Sequence, residues 1–135
     1  MEQTKRTFSG APWEKVVGYC RAIRKGNTIA VTGTTSINED GSVFSIGNPY
    51  EQAKRCLTII EKAILPLGAT RKDIIRTRMF VTDISKWQEF GRAHGEFFAG
   101  YPPATTMVEV KALIDSNLLI EIEADAILNE TQINS

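Results

Sequence analysis

Residues 119–127 read Leu-Ile-Glu-Ile-Glu-Ala-Asp-Ala-Ile, an alternation of apolar and acidic side chains. Only a β-strand turns successive side chains to opposite faces, so this run is a strand with one face against a core. Ile120, Ile122, Ala124 and Ala126 then point inward, and Glu121, Glu123 and Asp125 outward. A slip of one residue would bury three carboxylates, so the register is specified. Two further runs alternate. Residues 74–83 set Ile75, Thr77, Met79 and Val81 against Arg76, Arg78 and Phe80. Residues 104–111 set Thr106, Val108 and Val110 against Thr105, Met107 and Glu109. The strands thus share one apolar face and one polar face, the latter carrying Arg76, Arg78, Thr105, Glu109 and the three carboxylates. Opposite charges on neighbouring strands pair there at low cost, whether the face meets water or another subunit.

An apolar sheet face needs a cover, and two helices supply it. Asn48 suits an N-cap, Pro49 the first helical position, and Glu51 the third, as in a capping box. Apolar residues from Ala53 to Leu67 recur at helical spacing, and Pro66 and Gly68 end the segment. A second helix begins at Ser85, with Gln88 three residues on. Its buried stripe is read as Trp87, Phe90, His94, Phe97 and Phe98, and Gly100 with Pro102 and Pro103 stops it. Towards the N-terminus, residues 16–24 and 28–33 read as strands joined at Gly26-Asn27, and residues 39–42 as another turn. Strands and helices in this order predict an α+β fold, a mixed sheet with two helices on one face.

A chain of 135 residues is long enough for one core without disulfide staples. Its sixteen basic and sixteen acidic residues cancel, which argues against a nucleic-acid partner. Cys20 and Cys56 form no CxxC pair and read as free, buried thiols of a reducing compartment. The polar residues 1–10 are unlike a signal peptide, and no apolar run approaches the ~20 residues of a membrane span. A cytoplasmic location is expected. With a single histidine, His94, a metal site is not expected; packed on its helix stripe, His94 reads as a structural residue.

Several segments together resemble the Rid (YjgF-like) family. They are Gly18-Tyr19, Gly26-Asn27, Val31-Thr32-Gly33, the run from Arg78 to Asp83, Gly95-Glu96-Phe97-Phe98, the run from Tyr101 to Val110, and Ile120 to Ala126. The resemblance covers residues 12–128 of a single Rid-like domain, 1–135, with flexible termini. It implies a chorismate-mutase-like fold and a homotrimer whose sheets enclose a central barrel, with small-metabolite clefts between subunits and no cofactor. The implied chemistry is hydrolysis of enamines and imines to a 2-oxo acid and ammonia. The family's deaminases hold the substrate carboxylate with an arginine in a Pro-Ala-Arg-Ser context. Here that stretch is Pro103-Ala104-Thr105-Thr106. Losing a charged, two-pronged anchor removes about 1.5–3 kcal/mol of binding.

The resemblance further implies that Tyr19 and Gly33 line the cleft and that Glu121 positions or activates the water. Met107 would soften the pocket beside Thr105, and Gly91 and His94 alter its wall. Arg78 and Arg21 are candidate replacement anchors, each with a structural alternative as an ion-pair member. Glu121 has one too, a bridge to Arg76 or Arg78. Three functions follow: a Rid-type hydrolase of altered specificity, a metabolite-binding trimer without catalysis, and the family's ribonuclease or translation-inhibitor labels, which a neutral chain does not support.

Overall fold

The computed structural model describes residues 3–129. Six strands form one sheet: β1 (Thr4–Thr7), β2 (Ala22–Lys25), β3 (Thr28–Thr35), β4 (Ile74–Val81), β5 (Ala104–Glu109) and β6 (Ile120–Ile127), in the order β1-β2-β3-β6-β4-β5. Every pair is antiparallel except β4 with β5, so the sheet is mixed, as the pattern predicts. Helices α1 (Pro49–Ile64) and α2 (Trp87–Phe97) pack together over one face. The core lies between them and the sheet, with Leu57, Ile60, Ile64 and Phe90 of the helices against Ile29, Ile120 and Ile122 of the strands. Each such side chain contributes about 1.5–3 kcal/mol by leaving water. None of the described helices is long and apolar enough to cross a membrane.

Helix α1 begins as its sequence dictates. The Asn48 side chain accepts from the Glu51 N–H at 3.0 Å. The reciprocal half of the box is absent, because the Asn48 N–H donates to the Ser45 carbonyl at 3.2 Å. At the other end Gly68, at φ 92°, takes the left-handed turn that a side chain resists.

Several expectations are corrected. Residues 16–24 are not one strand: Glu14–Gly18 winds into a single wide helical turn, and Gly18 reverses the chain at φ 88°. The Tyr19 N–H closes that turn on the Glu14 carbonyl at 2.9 Å, leaving Val16 and Val17 exposed. At the N-terminus, Thr4–Thr7 is no flexible tail but pairs with β2 as an edge strand. The expectation for residues 130–135 lies outside the described residues. In β4 a bulge between Ile74 and Arg76 puts Ile74 in the core and Ile75 outside, the reverse of simple alternation. Trp87 is exposed rather than part of the α2 stripe, since α2 is preceded by a tight turn, Ile84–Lys86, that Asp83 caps in place of Ser85. Ala93 occupies the buried position instead. Cys56 is buried, but Cys20 only partly so.

The parallel pairing of β4 with β5 changes the faces most. Thr77 lies opposite Thr105 and Val81 opposite Glu109. Directly paired residues share a face, so Thr105, Met107 and Glu109 belong to the helix-covered side. Thr106 and Val108 lie on the open side, in rows with Arg78 and Phe80.

Candidate functional site

The open face of the sheet holds Glu121 on β6, opposite Thr35 of β3 and Phe80 of β4. The β3–β6 register shifts between Val31 and Thr34, and Gly33 sits in that irregularity. A Cβ on Gly33 would stand 2.9 Å from Glu121 Cδ and 3.2 Å from Cγ, and would collide with Oε2. The glycine therefore makes the space in which the carboxylate lies.

Arg21, just ahead of β2, organises the neighbourhood. Its side chain is buried. Nη1 donates to the Gly33 carbonyl at 2.9 Å and to Thr34 Oγ1 at 3.3 Å, and Nη2 meets Glu14 Oε2 at 3.4 Å. Glu14 is buried too, where its carboxylate also accepts the Ser9 and Gly10 N–H groups. Burial works to raise the Glu14 pKa, but the Ser9 hydrogen bonds and then the Arg21 charge outweigh it, leaving the group below its ordinary value. The Arg21 guanidinium also lies 5.6 Å from the centre of the Tyr19 ring. Arg21 thus links Tyr19, against its guanidinium, to Gly33, which borders Glu121.

Glu121 is the perturbed acid of this group. Burial raises its pKa above the ordinary value and the nearby Glu123 charge adds to the rise, while Arg21 works against both. A carboxyl with a raised pKa is better suited to give and take a proton near neutral pH. Its alternative reading, a bridge to Arg76 or Arg78, is not what the register provides. Arg78 Nη1 pairs instead with Asp125 Oδ2 at 3.0 Å and Glu123 Oε1 at 3.5 Å. Arg78 is thereby a half-exposed ion-pair member, and Arg21 a buried scaffold of the Gly33 turn.

Thr105 and Met107 are not beside Glu121 within the chain. They lie on the opposite face, on edge strand β5. Met107 packs against the core. Thr105 is exposed, and its Oγ1 accepts from Thr77 Oγ1 at 2.7 Å. Thr77 Oγ1 in turn lies 2.8 Å from His94 Nε2. His94 is buried, which lowers its pKa, and its ring leans on Phe98 at 4.6 Å.

Two participants escaped the reading of the sequence. Glu14 sits in a segment without periodicity, and its contact with Arg21 depends on how that segment folds. Thr77 did carry a signal: a polar residue at an inward strand position needs a partner there. No group of three or more metal-ligating side chains occurs among the described residues.

The family model described as Endoribonuclease L-PSP matches residues 10–128. An uncharacterized protein of Streptomyces coelicolor, SCO2049, is 36% identical over 125 residues, 93% of this chain and 92% of that protein. The crystal structure of Rv2704 from Mycobacterium tuberculosis, a member of the YjgF/YER057c/UK114 family, superposes with a TM-score of 0.85. It is 42% identical, and the match covers 93% of this chain and 100% of that one. YyfA from Yersinia pestis, of the conserved Rid protein family, has a TM-score of 0.77 at 29% identity, over 82% of this chain and 88% of that one. Sequence and fold agree, and the chain belongs to the Endoribonuclease L-PSP family, the family also called YjgF or Rid.

Proposed function

We propose that this protein is a hydrolase of an imine, enamine or related small metabolite, acting in clefts between the subunits of a homotrimer. The observation that carries the reading is Glu121, a partly buried carboxyl with a raised pKa, lying in the gap left by Gly33, whose carbonyl Arg21 holds. In the reaction, water adds its oxygen to the imine carbon and passes a proton to Glu121. Glu121 returns that proton to nitrogen to give the carbinolamine, whose hydroxyl proton then moves to nitrogen as the C–N bond breaks, releasing ammonia and leaving a carbonyl. Neither metal nor organic cofactor is required for that sequence.

The same geometry supports an assembly of subunits, and we read that assembly as the trimer. Thr105 and Glu121 face opposite ways in one sheet, so they line a common cleft only if two subunits contribute. The sheet face away from the helices also carries partly exposed apolar side chains, among them Phe80, Val108 and Ile127, which suit an interface. Thr105 stands where the family's deaminases carry an arginine, and Arg21 and Arg78 are both engaged in ion pairs. The substrate is accordingly of altered specificity, without a carboxylate held at that position.

The engaged arginines also favour a second reading, a trimer that binds a small metabolite without turning it over. One assay separates the two: ammonia or 2-oxo acid release from freshly generated 2-aminoacrylate and longer imines, above the spontaneous rate. The hydrolase reading expects acceleration that Glu121→Gln abolishes. Binding without product, indifferent to that substitution, would establish the second reading. The ribonuclease named in the family description draws no support from a chain of zero net charge.

A further inference from the structure

The buried hydrogen-bond chain behind Thr105 belongs to none of the roles above. Each threonine hydroxyl has one proton to give. Thr77 Oγ1 lies 2.7 Å from Thr105 Oγ1, and the two hydroxyls share one hydrogen bond. When the ring donates the 2.8 Å contact between His94 Nε2 and Thr77 Oγ1, His94 carries its proton on Nε2 and Thr77 is left to give its own to Thr105. In that tautomer Thr105 spends none of its own donor capacity on the chain. It stands exposed on the outermost strand, with its hydroxyl proton free to point away from Thr77.

The chain is sheltered along its length. Thr77 is fully buried beneath α2, and His94 is held between that strand and the Phe98 ring. Hydrogen bonds linked in series in a low-dielectric interior polarise one another, which strengthens the outermost donor. Burial also keeps the imidazole neutral, so the whole array carries no charge. A neutral donor favours a neutral acceptor, because a carboxylate moved here would lose its water without gaining a counter-charge.

We propose that His94, Thr77 and Thr105 form a hydrogen-bonded relay that presents a polarised hydroxyl at the open edge of β5, where it takes the carbonyl oxygen or imine nitrogen of an uncharged group on a small ligand. Thr105 touches the ligand; Thr77 and His94 are positioning residues. The inference deepens the hydrolase reading by naming the substrate class at that end of the cleft, and it rests on that reading for its catalytic meaning.

The test reads His94 directly, as the chain's one histidine gives one pair of ring-nitrogen signals. The full-length protein, labelled with ¹⁵N in histidine, is examined by long-range ¹H–¹⁵N spectroscopy at neutral pH, alone and titrated with pyruvamide or pyruvate. The expected result is the Nε2–H tautomer in the free protein and a saturable shift of Nε2 with pyruvamide. Pyruvate should bind about tenfold more weakly or worse. Thr77→Val should abolish the response, and Thr77→Ser should keep it. A free protein in the Nδ1–H form, a silent His94, a response that survives Thr77→Val, or tighter binding of pyruvate would each overturn the relay. The spectra need no turnover, so a missing ammonia signal defeats the hydrolase reading alone, and an unresponsive His94 beside active turnover defeats the relay alone.

Discussion

Gly33→Ala isolates the relation between a glycine and the carboxyl that occupies its space. The new methyl would stand 2.9 Å from Glu121 Cδ and 3.2 Å from Cγ, inside the roughly 3.5–4.0 Å of a relaxed carbon contact. The obstruction is the end of a flexible side chain, not backbone, so Glu121 turns aside and the sheet survives. An off-rotamer Glu121 costs about 0.5–1.5 kcal/mol. Restricting the unfolded chain returns about 0.4–1 kcal/mol. Net stability should therefore move by no more than about 1 kcal/mol, a change in Tm within roughly 5 °C. The carboxyl, displaced toward water, should titrate closer to its ordinary 4.5, and turnover should fall with it. Calorimetry, ¹³C NMR of the Glu121 carboxyl and ammonia release measure the three effects. In a Glu121→Ala background the same glycine change should be neutral or stabilising, since nothing is left to collide with. A Tm loss beyond about 10 °C, or an unaltered Glu121 titration, would refute this account of Gly33.

Arg21→Met leaves the Glu14 carboxylate buried without its cation and the Gly33 carbonyl without its donor, and should cost about 3 kcal/mol by urea unfolding. Arg21→Lys keeps the charge but not the fork and should fall between the two. A carboxyl whose folded pKa is raised binds its proton more tightly folded than unfolded, so ionising Glu121 costs stability as pH rises through that folded value. Glu121→Gln should therefore be more stable than the parent protein at pH 7, with the difference disappearing below about pH 4.5, as thermal unfolding across that range will show. Glu61 has the opposite sign: its hydrogen bonds from Arg71 lower its pKa, so its contribution is present above 4.5 and fades as pH falls, in both proteins alike.

Much of this molecule is legible in local sequence, for identifiable physical reasons. The alternation at residues 120–126 can be satisfied only by a half-buried strand, and the inward and outward sets are those of β6. Asn48-Pro49 starts α1 because capping is decided within a few residues. Gly33 and Glu121, which the family resemblance singles out, do lie side by side, with Arg21 on the Gly33 carbonyl. Other features depend on partners far along the chain. Periodicity in residues 104–111 separates two sets of side chains but cannot say which set meets the core. That choice rests on the parallel register with β4, which puts Thr105 over Thr77 and away from Glu121. The β4 bulge exchanges Ile74 and Ile75 because pairing with β6, not the residues themselves, decides where the ladder shifts. Glu14 meets Arg21, and His94 meets Thr77, across 7 and 17 residues of sequence. Such contacts form only when separate elements pack, and in that packing buried polar groups find their partners. The sequence alone determined β3, β5, β6 and the two helices, the faces of β5 and β6 as unlabelled pairs, and the family. Tertiary structure decided which face is covered and which charges are already paired, because both depend on how separate elements pack.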